Sequence, residues 1–564
     1  MPRYHSKSLI TCSLAILGSL AAAGSSATAQ IAHAAQPVSA FHTIAWQTSV
    51  ESAHPFLLAS SSGPGGQTPD ATPQTTTTDQ ELADLKARLA KLEAAQKTAD
   101  AALSPLGAET ATKEAPFSGD WTWLNGNSRN TDTPMATKYF VPEFRADAYY
   151  ALDLNHPIDD TIGGSSELFR AQELQLEQIS FGGDIRIDNV RGRVLLMMGE
   201  FATGTPRNDA SPARGQWDLR DAYRYVSEAW GGYHWNVQHG LNVDAGIFVS
   251  YIGLFSYYNF DNWAYQPSYV SSNTPWFFEG VRVQYYPTAK LKIEPWFING
   301  WQSYGRFNNK PGLGGQIKWT PKPWLAIISN NYGMGRDDLG YQHRSRLHTD
   351  DSVEIKYYDK PTMFMDKMAF TFTGDAGCEF GDGVSCHNSA GGQRPKQSFI
   401  GYMAYNRWWF KKDRYALTVG GGQISNPGRY LALVPPINGA DAISGTPYFT
   451  ANPGQRYKAW DGTVTYDYMP SQFITFRTEY GYRHSADPYF AGHGGMTPPN
   501  GNNGHPADFV CSNGADAGIG YDASGTMATA QANCGGPVGS TSALWFPDLR
   551  RDESKVTFSL MVKF

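Results

Sequence analysis

Sixteen segments of this chain alternate apolar with polar residues, and the alternation runs to its last residue. In the final segment Val556, Phe558, Leu560, Val562 and Phe564 fall on one side, and Lys555, Thr557, Ser559 and Lys563 on the other. Val281, Val283 and Tyr285 alternate with Arg282 and Gln284, and Val353, Ile355 and Tyr357 with Glu354 and Lys356. A period of two is the pattern of a β-strand with one greasy and one wettable face. The segments begin near Ala136, Glu173, Val190, Tyr225, Leu241, Trp276, Lys290, Gly312, Trp324, Asp351, Met363, Ser398, Arg414, Lys458, Phe473 and Ser554. Short connections such as Asp188-Asn189, Lys411-Lys412-Asp413 and Met469-Pro470-Ser471 alternate with long ones near 200–222, 253–275, 335–350, 425–457 and 484–551. Short turns at one end and long loops at the other are the layout of a transmembrane β-barrel. The expected fold is all-β, an antiparallel barrel of about sixteen strands over residues 136–564, preceded by a short coiled-coil helix.

Aromatic residues gather beside the short turns: Tyr285-Tyr286, Trp319 with Trp324, Tyr357-Tyr358 and Trp408-Trp409-Phe410. There they predict an interfacial girdle. A secreted sandwich would also alternate, but it turns its apolar face inward and has no reason to collect aromatics at one set of turns. Composition agrees, with 17% charged and 13% aromatic residues, against roughly 25% charged in an ordinary globular chain. The formal net charge of −6 lacks the basic surplus of a nucleic-acid binder. After residue 30 no uncharged apolar run approaches the ~20 residues of a membrane helix. A barrel escapes that test because its strands average out.

The N-terminus has Arg3 and Lys7, an apolar stretch from Ser8 to Ala23 and a small-residue site ending at Ala29, which read as a secretory signal over residues 1–29. Its removal takes the net charge from −6 to −8. Residues 30–78 form a low-complexity linker. In residues 79–103, Leu82, Leu85, Leu89 and Leu92 make a heptad seam, predicting a short self-associating coiled coil. Residues 104–135 are read as a second linker. Four cysteines remain in the exported chain, as the local pairs Cys378 with Cys386 and Cys511 with Cys534. In an oxidising compartment two loop disulfides are expected.

Catalytic signatures are absent: there is no G-x-S-x-G, H-E-x-x-H or phosphate-binding loop. Asp159-Asp160 and Asp337-Asp338 are too few oxygens for a calcium site, and His343, His348, His484 and His493 read as loop histidines without ligand spacing. No catalytic residue, metal or cofactor is expected. Function then rests on the barrel interior. Arg145, Asp147, Glu173, Glu177, Asp184, Arg186, Arg191, Arg193, Arg282, Lys292, Glu294, Lys318, Glu354, Lys356, Arg477, Glu479 and Lys555 are out of phase with the lipid face. Arg145, Arg186, Arg191, Arg193, Arg282, Lys318 and Arg477 are the candidate pore-lining cations. Charges of both signs around a cavity imply water, and about sixteen strands leave room for it. The loop at 253–275, with Tyr257, Tyr258, Asp261 and Trp263, is the candidate constriction. Its rings either stack on sugars or pack against the wall. Arg145, Arg186, Arg191, Arg193, Arg477 and Lys555 meet when the barrel closes, so one basic wall facing sparse acid is expected, and with it mild anion preference.

A family resemblance rests on particular runs. They are Asn155-His156-Pro157-Ile158-Asp159, Pro206-Arg207-Asn208-Asp209, Tyr225-Val226-Ser227-Glu228-Ala229, Asp244 to Gly253, Asn262-Trp263-Ala264-Tyr265-Gln266-Pro267, Asn273 to Phe278 and Lys292-Ile293-Glu294-Pro295-Trp296. With these the chain resembles the OmpL-like β-barrel porins of the Gram-negative outer membrane. A coiled coil before a barrel is also similar in layout to the phosphate-selective porins, which form trimers. The resemblance implies a water-filled channel for small hydrophilic solutes or ions, or a channel specific for sugars or phosphate. A secreted all-β glycan-binding protein is the remaining alternative. It implies as partners outer-membrane lipid and lipopolysaccharide, two further copies of the chain, and the barrel-assembly machinery that the terminal Phe564 would engage.

Overall fold

The computed structural model describes residues 86–89, 91, 116–426, 457–493 and 549–564, apart from residues 118, 158–159, 166, 207–208, 210, 212–216, 307–309, 337–342, 388–395 and 487–488. The strands are β1 (Phe140–Asp153), β2 (Leu174–Ile187), β3 (Val190–Leu196), β4 (Val226–Trp235), β5 (Leu241–Val249), β6 (Phe277–Thr288), β7 (Leu291–Ile298), β8 (Gly312–Lys322) and β9 (Leu325–Arg336). There follow β10 (Ser345–Asp359), β11 (Met365–Phe380), β12 (Ser398–Phe410), β13 (Tyr415–Asn426), β14 (Tyr457–Ser471), β15 (Ile474–Ser485), a two-strand ribbon β16 (Phe490–Ala491) and β17 (Leu549–Arg550), and β18 (Asp552–Lys563).

The barrel holds β1 to β15 and β18, each paired antiparallel with its neighbours, and β1 closes on β18. The closing register runs from Arg145 opposite Lys563 to Asp153 opposite Lys555. Beyond it Phe144 and Phe564 exchange backbone hydrogen bonds at 2.8 and 3.1 Å, and their rings stack with centroids 5.2 Å apart. A closed ladder leaves no strand edge unpaired, which the lipid interior requires.

The molecule is inside out. Phe181, Ile185, Val194, Phe297, Ile317, Phe372, Ile400, Val464, Phe476 and Leu560 are exposed, while Arg145, Asp147, Asp244, Glu354, Asp467 and Glu479 are buried. Alternation on each strand sends one set to lipid and the other to the interior. It also splits the aromatic doublets. Trp319, Trp324 and Tyr357 are exposed, as a girdle needs, but Tyr286 and Trp409 are buried and turn inward.

Three expectations change. β10 starts at Ser345 rather than near Asp351, because Arg346, His348 and Asp350 face inward opposite a mixed outer row of Leu347, Thr349 and Asp351. The apolar signal is therefore weak there. His348 consequently lies on a strand, buried, with Nε2 2.9 Å from Asp375; His484 is likewise on β15, against Asp552. Glu173 precedes β2 and pairs with Arg170 at the surface, not in the interior. Residues 104–135 are not all linker: Trp123, Leu124 and Asn125 are buried inside the barrel, because an apolar ring such as Trp123 gains by leaving water.

Cys378 ends up near the end of β11, with its sulfur joined to that of Cys386. Cys511, Cys534 and Asp337-Asp338 lie outside the described residues, as do the signal segment and the linker at 30–78. Of the predicted coiled coil only residues 86–89 and 91 are described, and they are helical and exposed. Among the described residues no helix is long and apolar enough to cross a membrane.

Deleting Phe564 removes the stacked ring and the last backbone pair of the closing seam. The fraction of heat-modifiable protein on unboiled gels should fall sharply, and an unchanged fraction would show that the seam closes without it.

Candidate functional site

The loop between β5 and β6, residues 250–276, is folded into the barrel, and nearly all of it is buried. Backbone groups taken from water need partners, and the opposite wall supplies them. Glu479 accepts the Tyr265 and Gln266 N–H groups at 2.6 and 2.8 Å, and Asp461 accepts Tyr269 N–H at 3.0 Å. Arg477 donates to the Asn262 carbonyl at 2.7 Å, Arg407 to that of Trp263 at 3.2 Å, and Arg483 to that of Pro267 at 2.9 Å. These groups share the inward parity of β12, β14 and β15, so the alternation that makes the barrel also aims the clamps. Gly422 on β13 lets the loop come close, since a Cβ there would sit 2.4 Å from Ser268 Oγ.

The aromatic residues of this loop pack against the wall. Trp263 meets Trp409 edge-on at 5.5 Å, Phe255 meets Tyr405 at 4.9 Å, and the Arg145 guanidinium lies 3.9 Å from the Tyr258 ring centroid. Asp261 is 3.0 Å from Arg145 and 3.4 Å from Lys563. Outside the strands, Asp209 accepts hydrogen bonds from Ser303 Oγ and Tyr304 N–H, joining two long loops; burial raises its carboxyl above the ordinary range.

The expected basic wall is absent as such, because most of its cations are matched by acids on the same or nearby strands. Arg193 contacts Glu143 at 2.8 Å, Asp184 at 3.1 Å and Glu228 at 2.8 Å. Asp244 takes Arg191 at 3.2 Å and Arg282 at 2.9 Å. Asp467 takes Arg407 and Arg477, each at 2.7 Å. Arg145 also pairs with Glu143, and Lys555 with Glu553. Arg186 is half-buried on β2, two residues beyond Asp184. Sequence reasoning missed Glu143, Glu228, Asp244, Asp467 and Glu553 as partners. Their inward parity was readable, but which acid meets which cation depends on strand register.

Two cavities border the infolded loop. One of about 30 Å³ lies beside Arg407, Trp409 and Arg477 on the β12–β15 side, room for a water or two. Toward β8–β10 there is a cavity of about 260 Å³, bounded by Ser250 to Tyr257 and Trp276 of the loop, Asn125 to Asn127, Gln316, Lys318 and Glu354. Of the candidate constriction residues Tyr257 borders this cavity, whereas Tyr258, Asp261 and Trp263 are buried away from it. Of the candidate cations only Lys318 borders it, and among the described residues no carboxylate lies within ion-pair distance of Lys318. No group of three acidic, His or Cys side chains that could hold a metal occurs among the described residues.

Comparison with known proteins places residues 145–509, more than half of the chain, under the family model described as "Putative beta-barrel porin-2, OmpL-like". No curated protein matches the chain. Similar solved structures include OmpT of Vibrio cholerae, at 9% identity and a TM-score of 0.38 over 76% of this chain and 99% of that one. The outer membrane channel DcaP of Acinetobacter baumannii shares 13% identity at a TM-score of 0.38, over 76% of this chain and 96% of its own. An anion-selective porin from Comamonas acidovorans shares 9% identity at a TM-score of 0.40, covering 75% of this chain and 99% of its own.

Replacing Arg193 by Ser leaves three carboxylates without their shared cation. Removing one partner of a buried ion pair typically costs roughly 3–5 kcal/mol. The urea concentration that abolishes heat-modifiable protein should drop markedly for Arg193→Ser and less for Arg193→Lys. Equal midpoints for the parent and both variants would contradict the shared-cation arrangement.

Proposed function

Since the chain belongs to the OmpL-like β-barrel porin family and is thus a passive channel of the Gram-negative outer membrane, we propose that small hydrophilic solutes cross it along the β8–β10 side. The position of the cavity carries this reading: a space of about 260 Å³ lies between the infolded loop and β8–β10, while Glu479, Asp461, Arg407, Arg477 and Arg483 clamp the loop to β12–β15. The rings of the loop are engaged by Trp409, Tyr405 and Arg145. That supports unselective diffusion over a channel that stacks sugars.

Ion preference in this reading is weak. Most inward cations are neutralised by carboxylates, so Arg145, Arg191, Arg193, Arg282 and Arg477 shape the wall more than they charge it. Lys318 is the cation an ion meets in the cavity, and Glu354 sits across the same space. Fixed charges beside a narrow path alter the local ion concentration, and salt screens them over ~10 Å at 0.1 M. Lys318→Gln should move the reversal potential under a dilute KCl gradient toward cation preference, with the shift fading at 1 M. A reversal potential identical to the parent's places Lys318 off the path.

The same proposal includes a homotrimer in outer-membrane lipid and lipopolysaccharide, inserted by the barrel-assembly machinery and joined mainly through barrel walls, with residues 79–103 adding a coiled coil. The outer wall at β9–β11 supports the trimer. Near the middle of β10, exposed Asp351 lies opposite Ser329 and Gly374, beside Thr349, in a shallow dent. A charge at mid-depth on a lipid face is destabilising, and a second barrel covering it removes that cost. A Cβ on Gly374 would meet only the Phe372 ring, at 3.9 Å. Gly374→Trp should therefore leave the barrel folded while shifting its mass in mild detergent from trimer to monomer, and removing residues 30–103 should make the trimer dissociate more readily. A parent chain that is already monomeric refutes the trimer.

A further inference from the structure

We infer that residues 121–130, ahead of the first strand, form a fixed strap across the turn-side mouth of the barrel and limit the size of what passes. This rests on the channel reading above. The strap is held at two points that are far apart around the wall. At one end the buried Trp123 ring donates from Nε1 to the Pro323 carbonyl, 3.2 Å away in the β8–β9 turn. At the other, Arg129 donates to the Ile474 carbonyl and Thr475 Oγ1, each at 2.7 Å, and to the Ser471 carbonyl at 2.9 Å, at the β14–β15 turn. Asn130 adds a bond of 2.9 Å to the Lys563 carbonyl. In the closed strand order these turns are separated by β10 to β13 on one side and by the longer arc through β1 on the other. A chain joining them is a chord across the opening.

Between its anchors the strap meets both the wall and the infolded loop. Asn125 N–H donates to Glu354 Oε2 at 2.9 Å, and its side-chain Oδ1 accepts Trp263 N–H at 2.8 Å. Gly126 N–H donates to the Asp261 carbonyl at 3.1 Å. Gly126 has φ +74°, and a Cβ there would lie 2.5 Å from the Leu254 carbonyl oxygen. The two segments touch backbone to backbone, where no side chain fits and a left-handed glycine is needed. Asn125 and Asn127 then form one boundary of the cavity that Lys318 and Glu354 bound from the wall. A solute using that cavity has the strap as its floor. The spacing in Trp121-Thr122-Trp123-Leu124-Asn125-Gly126-Asn127 suits this role: the apolar residues lock the end, and the small amides offer a wettable rim.

Single-channel conductance in planar bilayers, and swelling of liposomes in polyethylene glycols of graded size, test the inference on the full chain. The double variant Asn125→Ala/Arg129→Ala, which cuts the central and one terminal anchor, should conduct at least twofold better and admit larger polymers. Asn127→Cys changes one half-buried side chain at the rim. It should lose most of its conductance on treatment with a bulky methanethiosulfonate reagent that leaves the parent unaffected. Either result on heat-modifiable protein supports the strap as the limiting element. Folded Asn127→Cys protein that the reagent does not block, with parental conductance in the double variant or failure of that variant to fold, overturns it. A folded parent that does not conduct instead overturns the channel reading.

Discussion

Everything inside this barrel depends on finding hydrogen-bond partners for a loop backbone that has left water. The 250–276 loop brings peptide groups into the interior, and an unpaired buried peptide group costs as much as a lost hydrogen bond. Glu479 and Asp461 accept its N–H groups, and Arg407, Arg477 and Arg483 cap its carbonyls. The guanidinium fork suits this work because it offers several donors in fixed directions. Asp467 then holds Arg407 and Arg477 in place, so the loop is fixed by side chains that are themselves fixed.

The same interior shows why a count of charges predicts little about ion preference. Antiparallel neighbours place acids and bases side by side, and Arg193 alone engages three carboxylates. Ion pairs of this kind act mainly as struts, and their long-range fields cancel. In the proposed channel the informative residue is Lys318, which among the described residues has no carboxylate within ion-pair distance.

How far the molecule was legible from its sequence varies by element. The strand starts at Val190, Leu241, Gly312 and Ser398 coincide with the sequence reading, because strict alternation between clear turn residues leaves no other register. The start at Ser345 lies several residues before the clear alternation, where the outer row itself becomes polar. Tyr286 and Trp409 turn inward although they sit in aromatic doublets beside the turns, because neighbours on a strand face opposite ways.

By itself, then, the sequence determined a closed antiparallel barrel with greasy outside and charged inside and long loops at one end. These follow from local period and local turn chemistry. Only the tertiary structure decided the pairing of the inward charges, the placement of the cavity beside Lys318 and Glu354, and the entry of Trp123 to Asn125 into the interior. Such outcomes bring together residues as distant in the chain as Asn125 and Glu354. They depend on strand register around a closed ring, and no window along the sequence contains that information.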